Sequence, residues 1–167
     1  MMLAQLPLER TWLTLACLAL VALSALGMRR GWQAKAAGQL GILAPVAVPA
    51  DFAGLSFEGR FLGTCRKGDW LDRVVVHDLG VPSRAEVKVG PAGIAVLRAQ
   101  SSDFWISAAA LGEVRVDRAF LGKAYEQGSV VVVGWRLGDA DLEFGFRADG
   151  AQAQVDLLRL LGEVVSA

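Results

Sequence analysis

The chain has 167 residues, 54% of them hydrophobic and 20% charged. That length allows one domain with an appendage, and the apolar share exceeds the roughly 45–50% of ordinary soluble domains. Basic and acidic residues both number 17, so gross charge gives no reason to expect a nucleic-acid partner.

The balance conceals a gradient. Residues 1–50 carry a net +3, residues 51–98 a net +1, and residues 99–167 a net −4. The two cysteines, Cys17 and Cys65, fall in segments of different character and imply no disulfide framework.

From Thr11 to Met28 the chain runs 18 residues without a charge. As a helix this run spans about 27 Å, close to a bilayer hydrocarbon core of about 30 Å. Trp12 stands at one edge and Trp32 just past the other, where indoles favour the membrane interface. Arg29, Arg30 and Lys35 follow the run, whereas Arg10 precedes it beside Glu9. Basic flanks are retained on the cytoplasmic side. The reading is a single-pass anchor over residues 1–30, contacting the bilayer through residues 11–28, with the N-terminus outside and the remainder cytoplasmic. A cleaved signal peptide would carry its charge before the apolar core and small residues after it, the reverse of Met28-Arg29-Arg30. A buried helix of a soluble domain is the third reading, and the uncharged run is long for that.

Residues 31–54 form a juxtamembrane segment rich in Ala and Gly. Pro45 and Pro49 end any helix that continues from the anchor, and about 38–54 reads as a tether. From residue 55 to 167 the texture changes. Short runs rich in Val, Ile, Phe and Trp alternate with Gly, Asp and Pro, which predicts antiparallel strands.

The expected strands are Phe57–Arg66, Arg73–His77, Arg84–Val89, Ile94–Arg98, Asp103–Ser107, Glu113–Arg118, Ser129–Leu137 and Leu142–Arg147. Within them Ala85, Val87 and Val89 share one face, Val114 and Val116 point inward, and Leu142, Phe144 and Phe146 share another. Gly90-Pro91-Ala92-Gly93 and Gly138-Asp139-Ala140-Asp141 read as turns. Then the period lengthens. Asp149 is positioned to cap a helix with Gln152 as partner. Leu157, Leu158, Leu161, Val164 and Val165 form a helical stripe within a helix from about Ala151 to Val165.

A mainly β chain closed by a terminal amphipathic helix resembles the pleckstrin-homology-like (PH-like) superfold, a barrel or sandwich of about seven or eight antiparallel strands. More narrowly, the chain is similar to small membrane-anchored PH-like domain proteins of actinobacteria. The residues that carry the likeness are Gly63-Thr64-Cys65-Arg66-Lys67-Gly68-Asp69-Trp70-Leu71-Asp72-Arg73-Val74, then Gly134-Trp135-Arg136-Leu137-Gly138, then Gly145-Phe146-Arg147. The resemblance implies a binding module: an adaptor or scaffold for a protein or peptide at the inner membrane face, an anionic lipid-headgroup reader, or an accessory subunit of a membrane complex.

No catalytic constellation stands out, and neither a cofactor nor a metal is expected. His77 is the sole histidine, and its neighbour Asp78 would point to the opposite face of a strand. Cys65 precedes Arg66-Lys67, and nearby cations can activate a thiol, although a plain buried thiol fits as well. The candidate contacts are Arg66, Lys67, Trp70 and Arg73 around the first turn, with Arg60 as a further basic neighbour. Phosphate binding, protein contact and a solvated turn all suit this set. Asp103-Phe104-Trp105-Ile106 is a second aromatic cluster. Core packing is the expectation for Phe104 and Trp135, and an open sheet edge is a third place for a partner.

Overall fold

The computed structural model describes residues 8–126 and 128–167. Most of the short N-terminus expected outside the membrane falls in residues 1–7, outside the described residues. Helix α1 runs Leu8–Gly38, 31 residues, or about 46 Å at 1.5 Å per residue. Its stretch Thr11–Gly38 is long and apolar enough to cross a membrane. Trp12 and Trp32 are both exposed on it. Ser24 Oγ donates to Leu20 O at 2.8 Å, so a polar side chain is satisfied by its own helix. The chain divides into two units, one ending at Gly38 and the other spanning Gln39–Ala167.

The second unit is β-rich. Its strands are β1 (Leu55–Arg66), β2 (Asp69–Arg73), β3 (Ser83–Gly90), β4 (Gly93–Arg98), β5 (Phe104–Ser107), β6 (Leu111–Asp117), β7 (Ala119–Phe120), β8 (Lys123–Ala124), β9 (Val130–Leu137) and β10 (Ala140–Ala148), followed by helix α2 (Ala151–Ser166). Seven strands form one path, β5-β4-β3-β1-β10-β9-β6, with β2 paired to β1 off that path. Every pairing is antiparallel. The sheet curls into a half-barrel with α2 packed against its inner face. This is the expected mainly β class, with the terminal helix in place.

The inner face is built by alternation. Phe57 and Phe61 on β1, Val87 on β3, Val96 on β4, Val131 and Val133 on β9, and Phe144 and Phe146 on β10 share one core with Leu157 and Leu161 of α2. Phe61, Phe104, Phe144 and Phe146 are among the largest fully buried side chains, and truncating any one to Ala costs about 3–5 kcal/mol. Phe104 stacks on Trp135 with ring centroids 5.6 Å apart, so both are core residues as expected. Val130–Val133 are all buried because β9 is covered on both faces. Val130 and Val132 join Leu62, Cys65 and Phe120 in a second, outer cluster.

That outer cover is the β7–β8 hairpin, which no run of strand-forming residues announced. Two glycines seat it. A Cβ on Gly145 would lie 2.5 Å from the Phe120 ring, and one on Gly63 (φ +121°) would lie 2.8 Å from Leu121 Cδ1. Gly63 also follows an irregularity in β1, where the register slips between Phe61 and Gly63. A bulge of this kind bends the strand and re-aims its side chains.

Several expectations need correction. Val74-Val75-Val76 does not form a strand. Val74 N donates to Thr64 O at 2.9 Å and Val75 N to Gln39 Oε1 at 2.7 Å. The chain then enters a short 3-10 turn with His77 and Asp78 at positive φ. The expected tether is fixed to the domain. The Gln39 amide bonds Arg73 O at 3.0 Å as well as Val75 N, Ile42 is buried, and Val46 bridges Trp105 on β5. Val116 shares the inner face with its partner Val131 but is 40% exposed, since it lies near the open end of an outermost strand. Asp149 does not cap α2. Gly150 is the N-cap residue and there is no side-chain cap. Asp149 instead meets Arg84 at 2.9 Å, and Gln152 meets Asp156. Val165, near the C-terminal end of the helix, is 38% exposed.

Candidate functional site

The basic turn predicted from sequence does not assemble one pocket. Lys67 and Gly68 link β1 to β2, but Arg66 Nε lies 3.1 Å from Asp72 Oδ2. Asp69 Oδ1 accepts from Leu71 N and Asp72 N, each at 3.2 Å. Asp72 therefore engages one of the turn's two cations, and Asp69 is spent on the turn's backbone. Lys67 borders a shallow depression with Trp135, Arg136 and Asp141. Arg73 turns elsewhere, donating from Nη1 to Gly80 O at 2.8 Å. Trp70 and Leu71 are 51% and 63% exposed, an apolar pair presented to solvent. Trp105 is half-buried, its ring 4.4 Å from that of Phe52.

The candidate chemistry at Cys65 and His77 resolves differently from a reactive site. Cys65 is fully buried and lies opposite Glu143 on β10. Burial first, then the Glu143 charge, pushes its thiol up to about 12. It is protonated at neutral pH and is no nucleophile. Glu143 is itself buried and is held by both terminal nitrogens of Arg115 at 2.7 and 3.0 Å. That hydrogen bond also raises the Arg115 guanidinium above its usual range. His77 is exposed on its turn, with Nε2 3.0 Å from Ile42 O. Among the described residues no group of three or more His, Cys, Asp or Glu is placed to hold a metal ion.

Sequence reasoning missed a different basic cluster. The register sets Arg60 on β1 opposite Arg147 on β10 and opposite Arg84 on β3. Three guanidinium-bearing residues thus stand in a row across three adjacent strands, on the outer face of the sheet. They border a cleft of about 460 Å³ to which Arg73 and Lys123 also contribute. Leu62, Pro82, Leu121 and Tyr125 supply its apolar wall. Like charges directly opposite one another on neighbouring strands cost up to about 1 kcal/mol per pair, moderated here by exposure to salt. Arg84 is offset by Asp149 at 2.9 Å and Arg147 by Glu126 at 3.5 Å. Arg60, between them, has no carboxylate or hydrogen-bond partner among the described residues. The only hint in the sequence was one outward-facing Arg in each of three strands. Their meeting depends on register, which alternation alone does not fix.

The sheet's two outer edges also differ. On β5, Trp105 N donates to Val46 O at 2.8 Å, so the segment before β1 covers part of that edge. On β6, β9 is the sole strand neighbour among the described residues, and α2 packs beside it. The β6–β9 register is broken between Leu111 and Val114. A separate apolar groove of about 540 Å³ lies between the end of α2 and the β3–β4 turn, lined by Leu55, Val89, Pro91, Leu160 and Val164.

No curated protein matches the chain significantly. A sequence profile described as bacterial PH domain-like matches residues 41–161, a span that takes in every strand and most of α2. With the half-barrel and its closing helix, this match shows that the chain belongs to the bacterial PH domain-like family.

Proposed function

We propose that this chain is a membrane-tethered adaptor whose PH-like domain binds a protein or peptide partner at the inner face of the membrane, as the likeness to membrane-anchored actinobacterial proteins suggests. In this reading α1 is a single-pass anchor. Arg29, Arg30 and Lys35 hold its C-terminal flank on the cytoplasmic side, while Trp12 and Trp32 sit in the two interfaces.

The observation that carries the partner reading is the β6 edge. A strand with a neighbour on one side only offers main-chain donors and acceptors to an extended peptide. The adjoining helix α2 supplies side chains that would discriminate among peptides. The β5 edge is a poorer acceptor because Val46 already bonds Trp105.

The test is site-specific photo-crosslinking in native membranes. A crosslinking residue at Glu113, exposed on β6, is expected to give a discrete adduct. The same residue at Ser107 on β5 is expected to give none. Adducts that are absent at Glu113, or the same at both positions, would contradict strand addition at β6.

A further inference from the structure

We propose that the cleft bordered by the Arg84–Arg60–Arg147 row is a binding site for a compact, multiply charged phosphate-type anion. This site is distinct from the β6 edge and does not depend on the partner proposed there.

Three observations carry the inference. First, the row is not demanded by the fold. Arg60, Arg84 and Arg147 are all exposed, and any polar side chain would satisfy the strand alternation at these positions. Placing three like charges opposite one another works against the folded state, so their offset must come from elsewhere. Second, the protein neutralises the row only at its ends. Asp149 meets Arg84 and Glu126 meets Arg147, and the Glu126 side chain is 85% exposed. The central guanidinium of Arg60 is left to an outside anion, with Lys123 and Arg73 bordering the same space. Third, the cleft is walled. The β7–β8 turn holds Leu121 at φ +50° and Gly122 at φ +77°, and Leu121 and Tyr125 close one side. A leucine in the left-handed region costs about 1 kcal/mol or more, and here it is retained where it lines the cleft beside the cations.

The geometry also selects the ligand class. Guanidinium forks match the oxygen spacing of phosphate and bind it in pairs. Directly opposite residues on adjacent strands have Cα atoms about 4.5–5.5 Å apart. The row therefore presents several forks over a length of about 10 Å, more than one carboxylate can occupy and well suited to two linked phosphates. A lipid headgroup and a free phosphate share this chemistry.

The experiment uses the full chain in neutral maltoside micelles, with arginine side chains labelled for NMR. Inorganic pyrophosphate is expected to shift the Arg60 Nε–H signal saturably and to raise the thermal midpoint. Sodium chloride at matched ionic strength is expected to do neither. Arg60→Gln is expected to weaken pyrophosphate binding by roughly tenfold or more. The ligand-free variant should melt at the same temperature or higher, because a repulsive row has been relieved. Arg147→Gln is the second variant, expected to weaken binding in the same direction. A water-soluble short-chain phosphatidic acid separates the sources. A shift at Arg60 from both ligands assigns a lipid headgroup, and a shift from pyrophosphate alone assigns a free phosphate. The inference is overturned if neither ligand shifts Arg60 saturably. It is equally overturned if both variants bind pyrophosphate as well as the wild type.

Discussion

Arg115→Ala tests the polar arrangement beneath the outer cluster. Glu143 is 4% exposed, and its carboxylate takes two charge-assisted hydrogen bonds from Arg115, at 2.7 and 3.0 Å. Deleting the arginine strands a buried negative charge, a change that costs about 3–5 kcal/mol. The Arg115 side chain is 35% exposed, so water can partly replace it and the lower end applies. For a folded unit of about 130 residues, a loss of about 3 kcal/mol lowers the melting midpoint by about 10 °C. It also removes a large part of a typical stability of about 5–15 kcal/mol. Urea unfolding of the full chain in detergent, followed by near-ultraviolet circular dichroism, measures the change. The double variant Arg115→Met, Glu143→Met should recover most of the loss, because replacing both partners by apolar groups removes the stranded charge. A single variant losing less than about 1 kcal/mol, or a double variant as unstable as the single, would refute the reasoning.

Two further outcomes follow from the same region. Gly145→Ala places a methyl 2.5 Å from the Phe120 ring. The ring should be displaced at a cost of about 1–3 kcal/mol, and trypsin should cut faster at Lys123 in the loosened hairpin. Unchanged cleavage would show that Phe120 does not anchor it. Cys65 carries a pH signature. Its folded value, about 12, stands above the ordinary 9.0. Below 9.0 both folded and unfolded thiols are protonated and stability is flat with pH. Between 9.0 and about 12 the unfolded thiol ionises first, so stability falls as pH rises. Cys65→Ala in a Cys17→Ala background should fall less steeply over that interval, and an identical slope would remove the thiol as its cause.

Much of the fold was legible because it follows from local pattern. Leu142, Phe144 and Phe146 alternate inward and are all buried. The continuous valines of β9 read as a core strand, and the structure adds that the run is covered on both faces, the ordinary reason for an unbroken apolar strand. The terminal helix was legible from its leucine stripe. What failed was local structure decided by distant partners. Val74-Val75-Val76 has strand composition, but Gln39, 36 residues away in sequence, takes the Val75 N–H. Asp149 is a good cap by type, yet Arg84 claims its carboxylate. The turn at Arg66 and Lys67 looked basic in sequence, and Asp72 pairs with Arg66 in space.

The arginine cleft shows why function was harder to read than fold. Its three central residues lie in the segments Phe57–Phe61, Ser83–Val87 and Phe144–Ala148, and no spacing within any one segment is unusual. They meet because β1 lies between β3 and β10 and because their registers bring 60, 84 and 147 level. The bulge that shifts β1 beyond Phe61 leaves that alignment intact on its near side. On its far side Gly63 makes room for Leu121. The irregularity therefore lets the β7–β8 hairpin settle beside the row without disturbing the pairing that sets it. A motif search would find neither the row nor the wall, since each is a product of pairing. Arg98 offers the contrast. It is buried at 6% exposure over the rings of Phe61 and Phe104, 5.1 Å from each, and bonds the carbonyls of Asp78 and Ser102. That cation is answered by carbonyls and aromatic rings of its own domain, whereas Arg60 faces a cleft with its charge unanswered.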